Sequence, residues 1–307
     1  MKEILLKRKP VHVEELNIIE WEGEKLSLKN DGQLEIVFIG VGSAFAKTMY
    51  QNNMLIIKGD SHLLVDFGAT GPMALNATCG LDMNDIEAVF PTHSHSDHVG
   101  GIEALGQMNM YVGRRFMNRP KMKMIITEEY QRILWDYTLR GGLEYNEEIV
   151  KGKKMQFNDY YDVIRPQWKS FTPREMFSLD FNLHDTGKPE DTIKLEIFRT
   201  IHIPEQVNTW EASFVSYGLF IDNKILFTAD TKMDIELLEI YQEKAEAIFH
   251  DFQFFPGAVH APLADYKAKV QNHIKRKTRA MHIADNWKTQ DISDLAGWTK
   301  QGCRYIF

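Results

Sequence analysis

The chain has 307 residues, 44% of them hydrophobic, and a formal net charge of −7. That is enough apolar material for one large core or two modest ones, and the acidic balance argues against nucleic acid polymers or anionic membranes as partners. No apolar run reaches the roughly 18 to 20 residues of a membrane span, and residues 1–10 are too short in apolar side chains for a secretory signal, so a cytoplasmic location is expected.

In chain order, residues 1–32 read as an N-terminal extension. Its stretch 11–28 sets apolar residues among acids and is a candidate for pairing with a second subunit in a homodimer. Residues 33–40 alternate as a strand and run into the turn Gly40-Val41-Gly42-Ser43, with further strands expected at 53–57 and 62–66 as a meander. The turn lacks the GxGxxG spacing of a phosphate cradle and reads as structural. Residues 71–78 suit a short helix, 86–90 a buried strand, 101–116 a helix, 122–127 a strand and 128–139 a helix. From 141 to 191 the chain is polar without clear periodicity, and an insertion or lid is expected there. Strands resume at 193–203, 213–221 and 224–229, followed by a helix at 234–247, a strand at 248–252, a helix at 266–276 and a short strand at 279–283. With no low-complexity linker, residues 33–307 form one α/β domain.

Between the strand ending at Phe90 and the helix beginning at Gly101 lies Pro91-Thr92-His93-Ser94-His95-Ser96-Asp97-His98-Val99-Gly100, holding three of the eleven histidines. Imidazole nitrogens and carboxylate oxygens are preferred ligands of zinc and similar divalent ions. In an extended loop His93 and His95 point the same way and can share one ion. Asp97 and His98, at the tightening turn, can hold another. The two cysteines, Cys79 and Cys303, stand far apart without a CxxC partner, so no thiolate site or disulfide framework is expected.

His93-Ser94-His95-Ser96-Asp97-His98 resembles the H-x-H-x-D-H signature of the metallo-β-lactamase superfamily. Leu63-Leu64-Val65-Asp66-Phe67-Gly68 is similar to the family's first motif, whose aspartate braces the metal loop without binding metal. His202, Asp230 and His282 fit the later ligands in order and in their positions after strands. The resemblance implies an αββα sandwich, two mixed β-sheets flanked by helices. It also implies a division of ligands: His93, His95 and His202 on one divalent ion, Asp97, His98 and His282 on a second, and Asp230 bridging. Zinc is the metal most used in similar families, with manganese or iron in some. Two ions about 3.5 to 4 Å apart would share and activate a water as a bridging hydroxide, which makes the chain a hydrolase. Asp97 is expected to take part in catalysis as well as in metal binding.

Phe249-His250-Asp251 followed by Gly257-Ala258-Val259-His260 resembles the phosphodiesterase branch, which includes tRNA 3′-processing endonucleases and cyclic-nucleotide phosphodiesterases. The resemblance makes His260 a catalytic and substrate-binding residue that stabilises phosphoryl charge or protonates the leaving oxygen, with Asp251 orienting it. The interval from His202 to Asp230 is too short for a tRNA-gripping arm, so a small phosphodiester such as a cyclic nucleotide is the expected substrate. Arg114, Arg115, Arg119, Lys121, Lys123, Lys151, Lys153 and Lys154 read as solvated faces. A lactonase or thioesterase would keep all seven ligands but would not need His260. A non-enzymatic sensor on this fold would show damaged ligands, and none is damaged here.

Overall fold

Val37, Leu55, Leu64 and Val89 are flanked on both sides by further apolar residues, all buried. Strands this continuous in apolar side chains cannot leave a face in water, so each must be covered on both sides. The structure, a computed structural model, describes residues 1–6, 19–21, 25–145, 154–257 and 259–307. Among these, β1 (Lys2–Leu6), β2 (Ile19–Trp21), β3 (Glu35–Gly40), β4 (Asn53–Lys58), β5 (Ser61–Val65), β6 (Ala88–Phe90), β7 (Met122–Ile125) and β8 (Tyr161–Ile164) lie in one sheet. A second sheet holds β9 (Gln167–Ser170), β10 (Met176–Asn182), β11 (Thr192–Arg199), β12 (Tyr217–Ile221), β13 (Ile225–Phe227), β14 (Ala247–Asp251), β15 (Thr278–Met281) and β16 (Gly297–Trp298). The last strand, β17 (Cys303–Ile306), returns to the first sheet between β1 and β3, making it nine-stranded.

Both sheets are mixed in the same way. β3, β4 and β5 form the expected antiparallel meander, after which β5, β6, β7 and β8 run parallel. In the second sheet β9 to β13 are antiparallel and β13 to β16 parallel. The sheets meet through aromatic side chains: Phe38 of β3 lies 4.9 Å from Phe249 of β14, which lies 5.2 Å from Tyr305 of β17. The fold is the αββα sandwich of the metallo-β-lactamase family. In open α/β sheets, ligands bind beyond the carboxyl ends of parallel strands, and here β5, β6, β13, β14 and β15 all end where the expected site residues begin.

Several elements differ from expectation. The stretch 141–191 is not featureless: it supplies β8 to the edge of the first sheet and β9 and β10 to the second. Polar side chains are tolerated there because these strands are edge or near-edge, with β9 exposed at three of its four positions. The first strand, within the expected N-terminal extension, pairs antiparallel with β17. Most of the stretch 11–28, proposed for subunit pairing, lies outside the described residues. The expected helix at 266–276 is two helices, Leu263–Lys269 and Asn272–Lys275, broken where Val270 and Gln271 turn extended. The helix Gly71–Cys79 forms as expected, opened by Pro72 in its first turn and closed by Gly80 at φ +67°.

Candidate metal centre

The histidine cluster starts as a loop and ends as one helical turn. His95 is extended, and Ser96–Val99, where a tightening turn was expected, is a helix that His95 caps through its backbone. Three residues at strand ends hold left-handed backbone that L side chains rarely adopt: Asp66 at φ +60°, Ala229 at +50° and His282 at +52°. Each such conformation costs on the order of 1–3 kcal/mol and is kept only where the surroundings enforce it. These sharp turns bring Asp66, Asp230 and His282 to the mouth of the sandwich at the ends of β5, β13 and β15.

The seven expected ligands come together. His93, His95, His202 and Asp230 form one group and Asp97, His98, His282 and Asp230 another, with the donor atoms of each group within 4.8 Å of one another. In the first, His95 Nδ1 lies 3.1 Å from both His93 Nε2 and His202 Nε2. In the second, His282 Nε2 is 3.0 Å from Asp97 Oδ2 and His98 Nε2 is 3.3 Å from the same atom. Asp230 Oδ2 lies 3.3 to 3.7 Å from His93, His98, His202 and His282. Two ligands about 2.0–2.1 Å from one tetrahedral zinc are about 3.3 Å apart, so the donors already stand at ion-holding separations. His98 Nε2 and Asp230 Oδ1 are buried without a hydrogen-bond partner. Leaving such atoms unpaired costs a few kcal/mol, and a shared cation is the partner that suits both. The donor set therefore fits divalent metal.

The surrounding bonds fix the rings. Asp66 accepts from Thr92 N–H at 2.7 Å and from the Thr92 hydroxyl at 2.9 Å, and its carboxylate meets His98 Nδ1 at 2.7 Å. It thus braces the loop as the resemblance implied. His202 Nδ1 meets the Val259 carbonyl at 3.0 Å. With Nδ1 engaged, Nε2 of His98 and of His202 faces the centre. Gly68 passes so close to the helical turn that a Cβ there would stand 2.0 Å from the Asp97 carbonyl oxygen.

Burial holds His93 and His202 below the ordinary histidine range, His202 at about 4, which leaves neutral rings suited to metal. Burial would also lower His98, but the carboxylates of Asp230, Asp97 and Asp66 outweigh it and raise His98 well above that range. For Asp230 and Asp97 burial pushes up, and the neighbouring histidines override it and hold both carboxyls ionised. Asp97 and Asp230 supply negative charge of the kind a divalent ion neutralises, and such an ion would take the place of the proton on His98.

His260 stands beside these groups. Its Nδ1 bonds Asp251 Oδ2 at 2.7 Å, and its ring lies 5.1 Å from that of His202 and 4.8 Å from that of His282. Burial opposes charge on His260, but the Asp251 bond and the Asp230 carboxylate prevail and raise it to about 9. Asp230, Asp251, His260 and His282 are also close enough to hold an ion. At 2.7 Å, however, His260 Nδ1 and Asp251 Oδ2 stand closer than two ligands of one ion and at the separation of a hydrogen bond. His260 does not cap the following helix, whose N-cap is Pro262.

The family profile described as anti-Pycsar protein Apyc1 matches residues 34–305. The chain belongs to this family. It is 32% identical over 259 residues to an anti-Pycsar protein Apyc1 of Paenibacillus sp. (strain J14), covering 83% of this chain and 91% of that protein. Against the protein of that name from Bacillus phage 010DV004 it is 27% identical over 277 residues, covering 89% and 98%. Among solved structures, the metallo-β-lactamase fold protein YhfI of Bacillus subtilis aligns with a TM-score of 0.57 at 17% identity, over 90% of this chain and 100% of that one. A diphosphatase of the PhnP family aligns with a TM-score of 0.58 at 11% identity, over 89% and 98%. These structural likenesses agree with the fold.

In this Apyc1-family chain those of the basic residues named above that are described stand away from the centre. Arg119, Lys121 and Lys123 cluster where β7 begins, the opposite end from the ligands. Lys121 donates to the Asn158 carbonyl, Lys123 to that of Leu183 and Arg114 to that of Asp159, while Lys154 pairs with Glu144. Arg115 is exposed, and Lys151 and Lys153 lie outside the described residues. His250 is buried against Phe252 and Tyr266 and packs rather than reacts. Sequence reasoning missed Thr92, the partner of Asp66, and Gln253, whose side-chain oxygen accepts the His260 N–H at 3.2 Å. A threonine before two histidines and a glutamine after a strand carry no signal until the tertiary contact is known. No helix among the described residues is long and apolar enough to cross a membrane.

Proposed function

We propose that this chain is a binuclear metal-dependent phosphodiesterase acting on a small phosphodiester such as a cyclic nucleotide. His93, His95 and His202 hold one ion, Asp97, His98 and His282 hold the other, and Asp230 serves both. Zinc is the first choice, with manganese and iron as alternatives for a nitrogen and oxygen donor set. Divalent ions bound there lower the pKa of water and neutralise charge on phosphoryl oxygens.

The observation that carries the reading is the Asp251–His260 pair, 2.7 Å apart at the edge of the ligand groups and not one of them. Asp251 holds the proton on Nδ1, leaving Nε2 free to meet substrate. In hydrolysis a water oxygen bonds to phosphorus and one phosphorus–oxygen ester bond breaks. His260 gives its Nε2 proton to the departing alkoxide and recovers one from water. Between His202 and Asp230 the chain holds only the loop 203–216 and the hairpin of β12 and β13, which supports a small substrate over a polymer.

The test is a panel of cyclic nucleotides, bis-p-nitrophenyl phosphate, lactones and thioesters, run with metal analysis of the same sample. Phosphodiester turnover above the others is expected. Turnover confined to lactones or thioesters would move the chain to that class.

A further inference from the structure

Phe45 and Phe255 are 91% and 60% exposed, large apolar side chains left in water. Both stand on loops at the edge where the ligands gather, and both loops are firmly tied. Ser43 donates to the carbonyl of Ile283, the residue after His282, at 3.0 Å. The N–H groups of Lys47 and Thr48 and the Thr48 hydroxyl converge on the Asp285 carboxylate at 2.7 to 3.1 Å. On the second loop, between Asp251 and His260, the Gln253 side chain donates to the carbonyls of Phe255 and Gly257 and accepts from His260. Phe254 turns inward, edge-on to Trp298 at 6.0 Å, and Trp298 meets Trp287, two residues beyond Asp285, at 5.3 Å. Phe254 thus ties the second loop to Trp298 and Trp287, close in sequence to the Asp285 that holds the first, while Phe45 and Phe255 face out.

Single exposed apolar side chains are ordinary; what sets Phe45 and Phe255 apart is that their loops are tied to the residues beside His282 and to His260 itself. We propose that Phe45 and Phe255 form an apolar lip that takes the flat base of a nucleotide whose phosphate lies at the metal centre. The proposal rests on the phosphodiesterase reading and names which part of the substrate these residues select. A ligand whose phosphate meets His260 and the ligand groups carries its remaining atoms past the loops next to His260 and His282, where the two rings are. A base offers an aromatic face to such rings. A second copy of the chain fits less well: two phenylalanines offer about 150–250 Å² each, short of the roughly 800 Å² per partner of a stable interface.

The test titrates metal-replete protein by calorimetry with a nucleoside 5′-monophosphate and with ribose 5-phosphate, which lacks the base. Losing one stacked ring weakens base binding by roughly 5- to 150-fold. Phe45→Ala and Phe255→Ala should therefore each collapse the preference for the nucleotide by about tenfold, with a matching rise in KM for a cyclic nucleotide, and Phe45→Trp should keep the preference. Cyclic nucleotide turned over with the preference intact in both alanine variants would overturn the lip alone. So would a change from dimer to monomer in sedimentation with the preference intact, which would assign the rings to a second copy. No turnover of any phosphodiester by wild type would instead overturn the reading beneath it.

Discussion

His260 and Asp230 lie 3.8 Å apart, yet the two side chains answer to different chemistry. Asp230 stands 3.3 to 3.7 Å from the four histidines His93, His98, His202 and His282 and has a buried oxygen without a partner, so its removal should empty both ion sites. Asp230→Ala should lose both metals by elemental analysis, whereas His202→Ala should mainly lose one; two metals retained in Asp230→Ala would contradict the bridging role. His260 is tied to Asp251, and its loss should leave metal content as in wild type. Turnover of a phosphodiester by His260→Ala should fall by roughly 10²-fold or more, the scale of losing one general acid or charge-stabilising donor. A rate within a few-fold of wild type in the metal-replete variant would remove His260 from the chemistry.

At the scale of elements, strand ends and close backbone contacts place the site. Because a Cβ on Gly68 would meet backbone at 2.0 Å, Gly68→Ala must push the Ser96–Val99 turn away and with it Asp97 and His98. The expected outcome is a weaker second ion site, seen as metal lost first from that variant on titration with a chelator; wild-type retention would show that the loop yields without cost. A different element carries a pH dependence. His62 of β5 is buried, and its Nε2 accepts the Glu87 N–H at 3.0 Å. Burial first, then the nearby His184, lower it to about 4. The folded state keeps His62 neutral while the unfolded chain protonates near pH 6.5. Its contribution is therefore fully present above 6.5 and lost as pH falls toward 4, by at most about 3 kcal/mol. His62→Gln, which keeps an acceptor, should lose less stability than wild type over that window in urea melts. Equal losses would mean that His62 titrates freely in the fold.

Legibility in the sequence follows the same lines. The meander of β3 to β5 and the strands ending at Phe90 and Asp251 were readable because a short apolar run bounded by turn residues is most simply buried as a strand. The helix at 101–116 was readable by its period, although it is realised as Ile102–Met108 continued by the π-helical segment Asn109–Arg114. β9 was missed because it is a four-residue edge strand whose exposed Gln167, Trp168 and Lys169 show no period, β10 because its alternation lies inside a polar stretch, and the pairing of β1 with β17 because it joins opposite ends of the chain.

Over the whole molecule, the two mixed sheets open their parallel strands at one edge, and residues separated by 189 positions, His93 and His282, meet there. Each ligand alone is an ordinary polar residue after a strand, and only their order and number made the centre legible. The Phe45 and Phe255 loops were not legible, since exposure is a property of the fold. Metal held by residues from both sheets would favour the folded chain, and so would couple the site to stability as well as to turnover. The most direct test of the central claim follows hydrolysis of a cyclic nucleotide by metal-replete protein in ¹⁸O-labelled water, read by phosphorus NMR and mass spectrometry. The account predicts a nucleoside monophosphate carrying one ¹⁸O on phosphorus, formed at a rate that chelation abolishes and added metal restores. Intact cyclic nucleotide after exhaustive incubation, in a sample that opens a lactone or thioester, would contradict it.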